Sequence, residues 1–183
     1  MSEWFETLDG LRDAAWRRLA GGPDDATGPL RTLSLSTVDA DGHPAARTVI
    51  VRAADREAAR LDVHTDLSSA KVAELRGTPR AALLGWDPEP ALQVRLSAHA
   101  EVLSGEVVAP IWSRVPDTAR RNYGGTPPPG TPLHAPGTYE ETIDRDRFAV
   151  LRFHVETLEV LHLGTRHRRA VFGGRGDGRW IAP

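Results

Sequence analysis

A chain of 183 residues falls within the usual size of one domain and can bury roughly 70% of the surface its unfolded form exposes. Lysine and arginine number 23 against 25 aspartate and glutamate, a formal charge of -2, so no bulk positive field exists to hold a nucleic-acid backbone or an anionic membrane, and a small-molecule partner is favoured. Cysteine is absent, which excludes disulfides, thiolate nucleophiles and sulfur metal ligands together; without a basic-then-apolar leader or a run near the roughly 20 apolar residues of a membrane helix, a soluble, cytoplasmic protein is expected.

Trp4, Leu8, Leu11, Ala15, Trp16 and Leu19 recur at helical spacing, so residues 1–22 are expected to form an amphipathic helix capped by Ser2 and ended by Gly21 and Gly22. Leu33, Leu35 and Thr37 alternate with serines, Asp39 to Gly42 supply turn chemistry, and the β-branched run through Thr48, Val49, Ile50 and Val51 completes a hairpin. A third strand at Leu61 to Thr65 leads into Ser68 and Ser69, which suit the start of a short helix running to Arg76 before Pro79. Ala81 to Trp86 and Leu92 to Leu103 read as two further strands around a Pro-rich turn.

Ser104 is expected to cap a helix carrying Val107, Val108, Ile111 and Trp112, shortened or kinked by Pro110. Glycine and proline dominate residues 124–137, which reads as a loop or lid without a domain boundary, and Phe148 to Leu161 alternate as a half-buried strand. Strands in succession with helices at the corners give a mainly β fold with peripheral α, an antiparallel barrel that closes to remove unpaired edges, in a single domain over residues 1–183. Small barrels fill their own interior, so a large ligand must lie outside, in a groove between two copies.

Four features can carry chemistry. Arg47 and Arg52 bracket an apolar strand at odd spacing, which sends their side chains to opposite faces. His64 through Lys71 make a strand end, a turn and a helix N-terminus with hydroxyls and a lysine, a combination that attracts phosphate but also matches an ordinary serine cap with a surface lysine. Gln93 shares a polar strand face with Arg95 and Ser97 and offers amide donors and a carbonyl acceptor to a ring edge, or to water. The run Arg166-His167-Arg168-Arg169 is costly in charge repulsion unless an anion accompanies it, while the acidic balance and the lack of an interleaved aromatic platform speak against nucleic acid.

Taken in order, these segments resemble the pyridoxamine 5′-phosphate oxidase family of FMN-binding split β-barrels. The family's flavin strand is similar to Arg47 through Arg52, its strand-end aromatic-Thr pair to His64-Thr65, and its Ser-x-Lys phosphate helix to Ser69-Ala70-Lys71. Its Arg-Gln-Val resembles Leu92-Gln93-Val94, and its closing segment resembles Arg166 to Arg169 and Trp180 to Pro183. The resemblance implies a homodimer with FMN at the interface: Arg47, Ser69, Ala70 and Lys71 at the phosphate, Thr48, Val49, Ile50 and Arg52 along the flavin, His64 and Thr65 near the ribityl chain or ring, and Gln93 from the partner on the ring edge. It also implies that His167 and Arg169 act on an anionic substrate over the ring.

Two departures stand out. Ala70 occupies the place of a second base, which removes one charge-assisted hydrogen bond of about 1.5–3 kcal/mol, and the family's Arg-x-His falls near Thr165, His167 and Arg169 only with a gap. The implied function is hydride transfer from a small amine or alcohol, with pyridoxamine or pyridoxine 5′-phosphate as candidates, to bound flavin. The alternatives are a nicotinamide-dependent FMN reductase, for which no Gly-x-Gly-x-x-Gly is present, and a non-catalytic redox module. A haem or deazaflavin carrier is a further class, but His64, His99, His154 and His162 lack ligand spacing, and no metal is expected.

Overall fold

The computed structural model describes residues 3–25, 27–174 and 176–183. Eight strands run β1 Thr32–Val38, β2 Pro44–Asp55, β3 Arg60–Asp66, β4 Arg80–Asp87, β5 Leu92–Ser104, β6 Phe148–Leu163, β7 His167–Gly173 and β8 Gly178–Ile181. All pairings are antiparallel in the order β3-β2-β1-β4-β5-β6-β7-β8, and a further β3–β6 pairing closes the first six into a barrel. β6 makes this possible because it is 16 residues long: its first half pairs β3 from Phe148 to His154, its second half pairs β7 from Thr157 to Leu163, and β5 runs beside both.

Alternation sets which side of each strand turns inward. In β2, Val49 and Val51 are buried while Thr48, Ile50 and Arg52 face out; in β4, Ala81, Leu83 and Gly85 are buried while Leu84 and Trp86 are exposed. The barrel fills with Leu33, Leu35, Leu61, Val63, Leu96 and Phe153, each buried large side chain contributing about 1.5–3 kcal/mol in transfer free energy.

Helix α1, Leu8–Gly21, closes one end with Leu11, Ala15, Trp16 and Leu19. It starts later than its apolar spacing suggests: Trp4–Glu6 form a turn of 3₁₀ helix, and Thr7 is the cap, accepting from Gly10 N–H at 3.1 Å. Ser2, the expected cap, lies outside the described residues. Arg31 donates to the carbonyls of Gly22 and Pro23 just beyond the helix end, meeting acceptors that the helix leaves open.

Helix α2, Ala70–Gly77, packs Val72 and Leu75 against the barrel. After β5, the expected helix from Ser104 is instead a 3₁₀ stretch Gly105–Val108 followed by one turn, α3 Ala109–Trp112, and after Pro116 another, α4 Asp117–Arg120. Ser104 makes no cap bond, and Pro110 sits in the first turn of α3, where its missing N–H costs nothing. No described helix is long and apolar enough to cross a membrane.

Candidate flavin site

Outward-facing β2 residues, the end of β3 and the start of α2 enclose a groove of about 370 Å³ lined by Thr48, Val49, Ile50, Arg52, His64, Thr65, Ser69 and Lys71. Seven of these side chains come together because β2 and β3 are neighbours, with Val51 opposite Val63, and because the chain leaves β3 directly into α2; the eighth, Val49, is the buried floor. A second cavity of about 530 Å³ lies alongside, and Arg52, His64 and Tyr123 line both.

At the α2 end, Thr65 Oγ1 accepts from Lys71 Nζ at 3.1 Å and shares a 3.1 Å hydrogen bond with Ser69 Oγ, which also donates to the Asp66 carbonyl at 2.7 Å. Ser69 is thus turned back from the cap position it occupies, and the first N–H groups of α2 keep no side-chain acceptor from it. Lys71 has no carboxylate partner among the described residues. Burial, and then the Arg47 charge, depress its ammonium below the ordinary range, against the pull of Asp66 and Glu74.

Arg47 faces the other way. Its guanidinium donates to Glu74 at 2.7 Å and to Thr37 Oγ1, under α2, and it does not line the groove. Arg52 carries no ion pair or hydrogen bond among the described residues and stands at the junction of the two cavities. Burial, then Arg52, push the His64 imidazole down to about 4, so it is neutral at physiological pH. Burial holds the Tyr123 phenol above its ordinary range despite Arg52, leaving an O–H donor between the cavities. Ala70 opens α2 with an exposed methyl and contributes only main chain there.

Gln93, His167 and Arg169 lie elsewhere. Cross-strand register aligns Trp86, Gln93, Leu161, Arg169 and Ile181 in one row over five strands, on the outer face of the sheet. The next row, Thr48, Ser34, Leu84, Arg95, Glu159 and Val171, begins at a groove residue, so this face continues the groove's rim.

Two of the basic run's cations are met within the chain. Arg168 pairs with Glu6 and lies 4.6 Å over the Phe5 ring, and Arg169 pairs at 2.9 Å with Glu159, which also holds Arg95. His167 to Arg169 open strand β7, and Trp180 lies in β8, two strands that the sequence did not announce. Among the histidines weighed as ligands, His99 pairs across strands with His154; the grouped candidates for a metal among the described residues are Asp39, Asp41 and His43 in the β1–β2 turn.

Residues outside the sequence-predicted set are Tyr123 and Asp62, which with Arg114 line the second cavity, and Asp66, which lines the groove and pairs with Arg147. Asn122-Tyr123-Gly124-Gly125, an aromatic beside paired glycines at the loop's start, was the available signal for the first.

A closed barrel with an ammonium lacking a carboxylate partner among the described residues, at a helix N-terminus beside a groove of cofactor size, suits a protein that binds a phosphate-bearing cofactor. The match over residues 13–104, just over half of the chain, to the family described as "Pyridoxamine 5′-phosphate oxidase, FMN-binding domain" places it: the chain belongs to that family, whose cofactor is FMN. It is 23% identical to the Arabidopsis thaliana pyridoxine/pyridoxamine 5′-phosphate oxidase 2, covering 94% of this chain and 97% of that one. Bacterial oxidases of the same name match at up to 40% identity but over only about two fifths of their own length.

Among solved structures, a pyridoxamine 5′-phosphate oxidase-related, FMN-binding protein from Nostoc punctiforme superposes with a TM-score of 0.78 at 24% identity, covering 97% of this chain and all of that one. PhzG from Burkholderia lata, solved with tetrahydrophenazine-1-carboxylic acid, gives 0.70 at 18%, covering 100% and 98%. The groove fits the cofactor on its own terms: a half-buried lysine without a carboxylate, hydroxyls and helix N–H groups suit a phosphate, and apolar Val49 and Ile50 suit a ring.

Proposed function

We propose that the chain is an FMN-dependent oxidoreductase acting on a small, ring-bearing anion. The observation that carries this reading is the pair of adjoining cavities, one with the unpaired Lys71 and one with Arg52 and Arg114, neither of which has an ion-pair partner among the described residues. In the first, Lys71, Ser69 and the α2 main chain at Ala70 bind the FMN phosphate, with Arg47 supporting through its field; Thr48, Ile50, Arg52 and Thr65 border the rest of the nucleotide. In the second, Arg52 and Arg114 attract a phosphate or carboxylate, and neutral His64 with the Tyr123 hydroxyl offers hydrogen bonds without adding charge.

FMN held in the first cavity would supply a hydride acceptor for a C–H bond beside an amine or alcohol, with dioxygen as the electron acceptor that would reoxidise it. The protein's part is orientation and electrostatics. The substrate class agrees with the names and ligands of the relatives: pyridoxine and pyridoxamine 5′-phosphates, and tetrahydrophenazine-1-carboxylic acid, are all ring compounds bearing an anionic group.

The reading includes a second copy of the chain. Gln93 and Arg169 lie together on an outer face that is continuous with the groove rim and exposes Leu84, Trp86 and Leu163. Covering that face with a partner buries the exposed apolar side chains and brings Gln93, His167 and Arg169 of one protomer toward the groove of the other. Anaerobic stopped-flow reduction tests the activity. Bleaching of the flavin by pyridoxamine or pyridoxine 5′-phosphate is expected; bleaching by NAD(P)H alone identifies a reductase, and bleaching by neither class identifies a binding module.

A further inference from the structure

The proline-rich segment after Tyr123 reaches the cofactor groove, and the way its base is fastened points to a role. Pro129 and Asn122 line the groove together with Lys71 and Ser69, whereas no residue from 124 to 144 lines the neighbouring cavity. The segment's tip is not packed into the barrel: a hollow of about 300 Å³ separates Pro127 to Thr131 from Leu133 and Tyr139, and Leu133, Tyr139 and Ile143 are exposed. Its base, by contrast, is tightly held. Gly124 N–H donates to the Asp66 carboxylate at 2.9 Å, Arg147 donates to the Gly125 carbonyl at 2.9 Å, and Thr126 and Glu140 exchange main-chain hydrogen bonds.

This closeness requires a glycine at 124, and at 125 a side chain would have to displace the exposed Tyr139 ring. Gly124 has φ +118°, where a Cβ would also meet the Asp144 main chain at 2.6 Å, and a Cβ on Gly125 would meet the Tyr139 hydroxyl at 2.1 Å.

The same two side chains that fasten the base also shape the anion end of the groove. The Asp66 carboxylate, 5% exposed, accepts from Ser68 N–H and Ser68 Oγ and pairs with Arg147 at 2.9 Å. Arg147 donates in turn to Ser68 Oγ at 2.6 Å, and its carbonyl accepts from Leu67 N–H. One ion pair therefore joins the turn that precedes α2 to the root of the proline-rich segment. Burial alone would raise the Asp66 carboxyl, but the hydrogen bonds from Ser68, Gly124 and Arg147 outweigh it and hold it below 3.8, so the pair is charged across the physiological range.

We propose that residues 124–144 are a lid over the phosphate end of the groove, and that Asp66 and Arg147 are positioning residues coupling the lid to the anion socket. An anion against Ser69 and Lys71 fixes the turn that carries Asp66, Asp66 fixes the lid root, and the lid in place slows the anion's departure; the coupling is reciprocal. Because the lid borders only the cofactor groove, it governs retention of the flavin phosphate and not entry to the second cavity. The inference rests on FMN occupying this groove as proposed above.

The test combines FMN release and proteolysis in the full-length protein. Arg147→Gln is expected to speed FMN dissociation at least tenfold, with partial recovery in Arg147→Lys, which keeps the charge on Asp66 but not the paired donors to Ser68 and Gly125. A variant with residues 128–136 replaced by Gly-Ser-Gly leaves the clamp intact and is expected to release FMN equally fast without lowering the melting temperature of the flavin-free form. FMN is expected to slow trypsin cleavage at Arg120 and Arg121, and riboflavin is expected not to. FMN release at the wild-type rate from both Arg147→Gln and the shortened variant, while Lys71→Ala still loses the flavin, would overturn the lid and leave the cofactor site standing. FMN binding that is also indifferent to Lys71→Ala rejects the site and the lid together.

Discussion

The protein has two arginine-rich or lysine-bearing regions that look alike in sequence and differ in how their charge is met. At the C-terminal side, Arg168 is balanced by Glu6 from the far end of the chain and Arg169 by Glu159 on the neighbouring strand β6. At the β2–β3–α2 side, Arg47 is balanced by Glu74, but Lys71 and Arg52 have no carboxylate among the described residues, and the cost of keeping Lys71 half buried is visible as a depressed ammonium. The number of cations therefore says little about where an anion binds. What matters is where the charge without a carboxylate sits: among the described residues, Arg76, Arg121 and Arg166 leave theirs in solvent, whereas Lys71 and Arg52 are partly buried and line the groove.

Removing that groove charge is expected to have the largest effect. Lys71→Ala removes a charge-assisted contact of about 1.5–3 kcal/mol, roughly 10- to 150-fold in FMN affinity, with little change in the stability of the flavin-free protein; equilibrium fluorescence quenching measures the first and thermal melting the second.

Arg47 inverts the pattern, because its removal strands Glu74, whose side chain is only 10% exposed. Arg47→Ala is expected to cost about 2 kcal/mol in folding stability, reduced from the fully buried case because the guanidinium still touches solvent. Removing both partners in Arg47→Ala/Glu74→Ala recovers part of it, which urea denaturation of the single and double variants checks.

The pH response comes next in size. His64 has a folded value of about 4 against an ordinary 6.5, so on acidification the unfolded chain takes up the proton first. The stability held by neutral His64 is full above pH 6.5 and drains away as pH falls toward 4. Urea midpoints at pH 7 and pH 5 should differ more in the wild type than in His64→Gln; an equal difference removes His64 from the account. At the small end, Arg166→Ala on the exposed edge of the balanced region should change neither FMN affinity nor stability beyond about 0.5 kcal/mol.

Strand alternation made β1 to β5 and all but the last two residues of β6 readable, and the serines before Lys71 marked α2, because these are local patterns. Strand β7 was hidden since four consecutive basic residues break the alternation that a strand normally shows, and their balancing acids sit at Glu6 and Glu159. The start of α1 was misplaced because Trp4 continues the apolar spacing past the true cap at Thr7. The Arg47–Glu74 pair and the Asp66–Arg147 clamp join residues 27 and 81 positions apart, so the role of each depends on strand pairing that no local motif encodes. Five matched motifs in order identified the family, but nothing in them indicated that Arg47 turns beneath α2.

The central claim is that the chain's unbalanced charge at Lys71 is a socket for a nucleotide phosphate. The most direct measurement is the ratio of FMN to riboflavin affinity in the wild-type protein and in Lys71→Ala, at one salt concentration. A wild-type preference for FMN of tenfold or more that collapses in the variant is the predicted result; equal affinity for the two flavins in the wild type contradicts it.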